Sequence, residues 1–398
     1  MKTFHSNSPQ RGFTLIELMI AMLIGVFLMG GVIQIFLSAK QAYRLQENLS
    51  RLQENGRFAM DFITKDVRMA GYTGCTKTLP ATNPANTITE QTKLNGSNNV
   101  TNANWMASSC GSLCITATDA ITFQYAKSCG GSLTTKMTGS AVGFSIKIGA
   151  NSCNITVGSP VLVGDCTSSN VFTAAANTTN TKDANNNTTA SDVKIDKAFL
   201  TAKDYDVDAE LFAFQNNATY FIRTGAGGLP ALFRVDSSGT NELVEGIENM
   251  QILYGVDTDT PNQDFIPNYY VDATAVANIK IPATGTLGTI ATNDSKGAAI
   301  NPPPSSWSRV VSVRINLLAV TPDNNLTDTQ QPFLFNGTTY ATTANPIPQV
   351  CSNNGVIITT APLDSTTPPA CSSPNKLVND LRIRRVFSTT IAVRNRLP

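Results

Sequence analysis

Glu17 is the one charged residue within an apolar run from Phe13 to Leu37. A carboxylate inside a membrane-spanning helix costs about 2.5–3.5 kcal/mol unless something offsets it. One way out is an interfacial position, from which the side chain reaches lipid headgroups. The other is a cation in the same low-dielectric layer. Cleavage after Gly12 would leave an α-amine on Phe13, which Glu17 of the same or a neighbouring chain would neutralise. Such a pair specifies the register between subunits, because a buried charge left alone is costly.

The other reactive residue types narrow the chemistry. The chain has 398 residues and a single histidine, His5, in the polar stretch before the apolar run. Loss of that stretch leaves no imidazole, which excludes Ser-His-Asp and Cys-His catalysis and His-ligated zinc or haem. No nucleophile, base and orienting group stand together elsewhere, so neither an enzyme nor a cofactor is expected. The eight cysteines, Cys75, Cys110, Cys114, Cys129, Cys153, Cys166, Cys351 and Cys371, all follow the apolar run. An even count in an oxidising compartment reads as disulfides. Cys110 and Cys114 have zinc-like spacing, but neither histidine nor compartment supports a metal there. Cys351 and Cys371 share one remote loop and are expected to pair, and Cys153 with Cys166 would staple a hairpin. Cys75, Cys110, Cys114 and Cys129 then allow three connectivities.

Asp257, Asp259 and Asp264 in YGVDTDTPNQD resemble a calcium loop. Pro261 fills the third ligand slot, however, and both the turn glycine and the closing Glu are missing, so a solvated acidic turn is expected instead. Near the C-terminus, Arg382, Arg384, Arg385, Arg394 and Arg396 carry too little charge for tight nucleic-acid binding. Leu381, Ile383, Phe387, Ile391 and Val393 share one parity, and Arg385 falls on it. Arg385 is therefore expected in a buried ion pair or beside a bulge. Across the chain, 29 Lys and Arg against 28 Asp and Glu leave no bulk charge to recruit nucleic acid.

The elements that must hold these residues begin with a helix. Residues 13–37 would rise about 37 Å, enough to cross a hydrocarbon core of about 30 Å, with Lys2 and Arg11 holding the N-terminus in the cytoplasm. The stripe Leu45, Leu49, Leu52, Gly56, Ala59, Ile63, Val67 and Ala70 continues without proline, so one helix is expected over about 14–70, stopping at Gly71. Gly25, Gly30 and Gly31 are its weak points. Beyond Cys75, strands are expected at 119–126, 143–148, 160–164, 210–215, 219–223 and 310–320, and a helical turn at 243–249 leads into a strand at 250–254. Asn/Thr-rich tracts at 82–104, 167–192, 272–300 and 336–376 read as long loops. The fold class is α+β: a long N-terminal helix and a large, loop-rich, disulfide-bearing antiparallel domain.

RGFTLIELMIAM, Arg11 to Met22, resembles the prepilin peptidase motif of type IV pilins. The resemblance implies cleavage between Gly12 and Phe13, N-methylation of Phe13, and pairing of Glu17 with a neighbour's N-terminus during assembly. It divides the chain into a leader 1–12, a transmembrane part 13–37, an amphipathic helix 38–70 and an extracytoplasmic domain 71–398. RLQENGRFAMDFITKDVRMAGYTGC at 51–75, VEGIENMQILYGVD at 244–257 and RIRRVFSTTIAVRNRLP at 382–398 are similar to the PilW family of minor pilins. That implies a tip or priming complex supporting adhesion and twitching motility. The implied partners are prepilin peptidase, other minor pilins, the major pilin and a tip adhesin. The implied places are the inner membrane, single-pass, and then the pilus tip. The alternatives are a GspJ-like pseudopilin of type II secretion, which needs a far shorter chain, and a pilin-tethered adhesin for host or surface ligands.

Overall fold

The computed structural model describes residues 12–75, 93–100, 114–137, 139–140, 143–150, 153, 155–195, 205–214, 218–236, 239–259, 264–278, 306–324, 326–327, 329–340, 350–353, 356–359 and 376–396. The N-terminal helix runs unbroken over Leu15–Met69, through Gly25, Gly30 and Gly31, and ends at Gly71, whose φ of 73° suits a residue without a Cβ. Two compact units divide it, residues 1–51 and 52–398.

In the second unit Leu52, Ala59, Ile63, Val67 and Ala70 are fully buried, which accounts for the helix stripe from residue 52 onward. They pack on two antiparallel sheets. The first has the order Leu94–Ser97, Ala120–Phe123, Ala218–Thr224, Pro230–Asp236 and Gly239–Glu245. The second has the order Tyr269–Val271, Ile247–Val256, Val310–Val320 and Arg384–Ala392. Ile121, Tyr220, Leu232, Tyr254, Ile315 and Ile391 from these sheets share one core with the helix. Gly56 allows the closest approach, since a Cβ there would overlap the Phe387 ring. Asp66 on the helix takes hydrogen bonds from the Tyr220 hydroxyl (2.8 Å) and Arg234 Nε (3.0 Å), which sets the helix on the first sheet. Asn395 Nδ2 donates to the carbonyls of Arg68 (3.3 Å) and Ala70 (3.1 Å), groups that the helix end would otherwise leave unpaired.

Strand Ala120–Phe123 pairs directly with Ala218–Thr224, and Phe123 faces Ala218. Between those two facing residues the chain builds an inserted lobe. One of its sheets orders Ala126–Ser132, Glu210–Phe214, Pro160–Gly164 and Ser169–Thr173. The other orders Gly139–Ser140, Gly143–Ile148, Thr188–Ile195 and Thr179–Lys182. Ile146, Val161, Phe172, Val193, Ile195 and Leu211 form its separate core.

Several expectations fail. The tract 167–192 holds strands rather than a long loop, because buried Val171 and Phe172 lie among its Asn and Thr residues, and Ser191 starts an alternation of buried positions that runs on through Val193 and Ile195. Within 336–376 there are likewise strands Thr338–Tyr340, Val350–Asn353 and Val356–Thr359. The helical turn at 243–249 is absent: Gly239–Glu245 and Ile247–Val256 are strands that meet at Gly246, with φ of 80°, and a bulge follows at Glu248. The strand at 119–126 is split, with Ala120–Phe123 in the core and Ala126–Ser132 in the lobe.

Candidate assembly segment and buried charge cluster

Gly12, Phe13 and Thr14 precede the helix as exposed, non-helical backbone, and Phe13 is 86% exposed. The peptide bond expected to be cut is therefore open on the described side. Residues 1–11, with Lys2 and Arg11, lie outside the described residues. Thr14 caps the helix: its carbonyl accepts from the amides of Glu17 (3.1 Å) and Leu18 (3.2 Å), and its Oγ1 also accepts from Glu17 N (3.3 Å). Thr14-Leu-Ile-Glu17 thus has the spacing of a capping box, with Glu17 in the first turn, where the helix dipole favours a carboxylate. The cap by Thr14 was legible in the sequence as T-x-x-E and is missing from a reading of Glu17 based on membrane cost alone. From Phe13 to Leu37 every residue is exposed in the single chain, an apolar surface that calls for lipid or neighbouring helices.

At the far end of the chain the sequence misplaces the charge. Arg385 is exposed, and the pairing of Arg384–Ala392 with Val310–Val320 runs without a register shift. Arg382 and Arg384 are the buried pair instead. Arg382 grips Asp380 with two bonds, Nε to Oδ1 at 2.9 Å and Nη2 to Oδ2 at 2.7 Å. Arg384 grips Glu248 in the same way, Nε to Oε2 at 2.6 Å and Nη2 to Oε1 at 2.8 Å. Cross-links from Arg384 Nη2 to Asp380 Oδ2 and from Arg382 Nη2 to Glu248 Oε1 (3.4 Å) join the four into one neutral cluster. Its position follows from the bulge, which places Glu248 between Ile247 and Asn249 opposite the start of the last strand. The parity argument fails because Arg384 lies on the opposite face from Phe387 and Ile391, under Phe333 of the Phe333–Tyr340 hairpin, whose ring centroid is 5.8 Å from the guanidinium. Burial alone would raise the Asp380 pKa, but Arg384 and Arg382 overcome it and hold the carboxyl well below its ordinary value. Burial alone would likewise lower the Arg384 pKa, and Glu248 and Asp380 reverse the sign.

The disulfides differ from those expected. Cys153 and Cys166 do not pair: Cys166 bonds Cys75, tying the segment after the helix to the lobe, and Cys153 bonds Cys129 within the lobe. The hairpin reading fails because Pro160–Gly164 and Ser169–Thr173 already close around residues 165–168 through their own ladder, and Cys166, in that turn, pairs with Cys75. The four-cysteine set loses Cys75 and Cys129 accordingly. Cys114 is also disulfide-bonded, whereas Cys110, Cys371 and the side chain of Cys351 lie outside the described residues.

Asp257, Asp259 and Asp264 do converge, with one oxygen of each within 4.8 Å of the others. Both oxygens of buried Asp257 are engaged by backbone, Oδ1 by the amide of Asp259 and Oδ2 by that of Phe265, each at 2.9 Å. Asp264 accepts from Ile266 N at 2.8 Å, so this carboxylate also orders its turn. The donor set fits turn closure better than a cation with six to eight oxygens.

Residues 219–395 match the family model described as Type IV Pilus-assembly protein W, and residues 7–33 match that of the prokaryotic N-terminal methylation motif. No curated protein and no solved structure matches the chain. The first match begins one residue after the chain re-enters the first sheet at Ala218, so the inserted lobe falls outside it. It includes Glu248, Asp380, Arg382 and Arg384, while the second match spans Gly12, Phe13 and Glu17. An apolar N-terminal helix bearing the methylation motif, joined to this antiparallel core, makes the chain a membrane-anchored, PilW-like minor pilin of the type IV pilus.

Proposed function

We propose that this minor pilin belongs to a priming complex at the pilus tip and does no catalysis of its own. The observation that carries the reading is the joining of a prepilin-type N-terminus to a head far larger than its stem. A domain covering residues 71–398 should have a radius of gyration near 20 Å, whereas a helix is about 10–12 Å across. Heads of that size at every position of a shaft would compete for space. At an end, one face is free, and bulk serves as a cap or a docking platform.

In this reading prepilin peptidase cuts between Gly12 and Phe13, Phe13 is N-methylated, and Glu17 recruits the α-amine of a neighbouring subunit. The capping bonds at Thr14 support it by placing the carboxylate in the first turn, near where the new N-terminus would lie. Other minor pilins, the major pilin and a tip adhesin are the partners. The PilW match favours this assignment over a type II secretion pseudopilin.

Deleting the gene tests it. Surface pili should vanish while the major pilin stays in the inner membrane, and immunogold should mark tips if the subunit remains in the finished filament. Undiminished piliation refutes priming, and uniform labelling of the shaft at major-pilin stoichiometry refutes the tip position.

A further inference from the structure

A cavity of about 300 Å³ lies where Asn98 and Asn99, the segment from Ala117 to Asp119, and strand Ile247–Val256 come together, and Asn336 and Tyr340 of the small hairpin close one side. Among the described residues that line it, five carry amides, Asn98, Asn99, Asn249, Gln251 and Asn336, and none is Lys, Arg or His. Two carboxylates, Asp119 and Asp272, also line it, which disfavours anions.

The amides are held in place. Asn249 Nδ2 (3.2 Å) and Gln251 Nε2 (3.0 Å) both donate to the carbonyl of Ala117, and Gln251 Nε2 donates again to Asn249 Oδ1 (3.0 Å). To offer that carbonyl, Ala117 adopts φ of 59°, a conformation that L-residues with a Cβ avoid and that recurs at binding sites. The half-buried Asn98 amide makes no hydrogen bond to any described residue. The carboxylates are already committed: Asp119 accepts from the amides of Asn99 (3.1 Å) and Ile252 (2.8 Å), and Asp272 accepts from that of Ala275 (2.7 Å). Their remaining lone pairs can accept hydroxyl protons, but the charge they can offer a cation is partly spent.

Planar amides both donate and accept, as vicinal hydroxyls do, and the rings of Phe335 and Tyr340 supply flat apolar surface for C–H groups. We propose that this cavity binds a neutral, hydroxyl-rich ligand, a saccharide of one or two rings. The site goes beyond the assembly role and stands or falls apart from it.

The test is saturation-transfer NMR on the full chain in a detergent without a sugar headgroup, with glucose, galactose, mannose, N-acetylglucosamine and lactose as probes. At least one should bind, and Asn98→Ala and Asn336→Gly should each weaken it about fivefold or more without changing thermal unfolding. Asn336 has φ of 48°, so glycine keeps that turn and provides a reading where Asn98→Ala disturbs the fold. Failure of all five sugars to bind overturns the proposal, as does binding that neither variant weakens. Displacement of the sugar by methylammonium or calcium at lower concentration assigns the cavity to a cation and overturns it too.

Discussion

The helix-packed core and the inserted lobe bury antiparallel strands by different means. The core lays two sheets against the second half of a helix and secures its last strand with four interlocked charges, Glu248, Asp380, Arg382 and Arg384. The lobe draws its hydrophobic core from its own two sheets, closes one bond within itself and ties its turn to the segment after the helix with another. The core relies chiefly on contacts formed in the folded state, with a disulfide at Cys114 on the first sheet, whereas the lobe also holds a bond closed wholly within itself, which limits its unfolded chain. The lobe leaves and rejoins the first sheet at facing residues, Phe123 and Ala218. Chain can therefore be added there without disturbing the sheet that receives it.

Reduction should separate the regions most strongly. In the chain-entropy account the Cys75–Cys166 bond, spanning 91 positions, contributes about 4.6 kcal/mol and Cys129–Cys153, spanning 24, about 3.5 kcal/mol. Hydrogen exchange under reducing conditions should show amides of 126–214 losing protection before those of Val310–Val320. Equal loss in both would mean that they unfold as one unit. Glu248→Ala should do the reverse. It strands Arg382 and Arg384 without one acid, costs about 3–5 kcal/mol in denaturant melts, and lowers protection in the core first.

Acid gives a contrast within the core. Burial, aided by nearby Asp272, pushes the Asp119 pKa up to about 6. A raised carboxyl penalises the folded state at neutral pH, and the penalty is relieved as pH falls from about 6 towards the ordinary value of 3.8. The relief is on the order of 3 kcal/mol, and Asp119→Asn should remove that slope. Asp380 has the opposite sign: its depressed pKa contributes stability above the ordinary carboxyl value, and this is lost as pH falls below it. Melting temperature should therefore rise and then drop on acidification, the drop disappearing in Asp380→Asn. The smallest effect is expected from Asn395→Ala, about 1 kcal/mol, from loss of the cap on Arg68 and Ala70.

Periodicity made the helix and the strand at 310–320 legible, and alternation or β-branched content those at 143–148 and 160–164, because each buries apolar side chains. The lobe was obscured by composition. Asn and Thr fill its exposed positions, and the alternation of Ser191, Val193 and Ile195 is short enough to vanish among them. Residues 243–249 misled because a glycine joint and a bulge interrupt the period of two. Glu248 and Arg384 are 136 positions apart, and no local pattern connects them. For the N-terminal segment, the methylation motif was legible as RGFTLIE and the capping role of Thr14 was overlooked.

The intact mass of the protein extracted from the inner membrane tests the pilin assignment most directly. The account predicts a chain beginning at Phe13, with residues 1–12 removed and one methyl group added at the new N-terminus. A chain that keeps its leader in cells with active prepilin peptidase, or one that starts at any other residue, would contradict it.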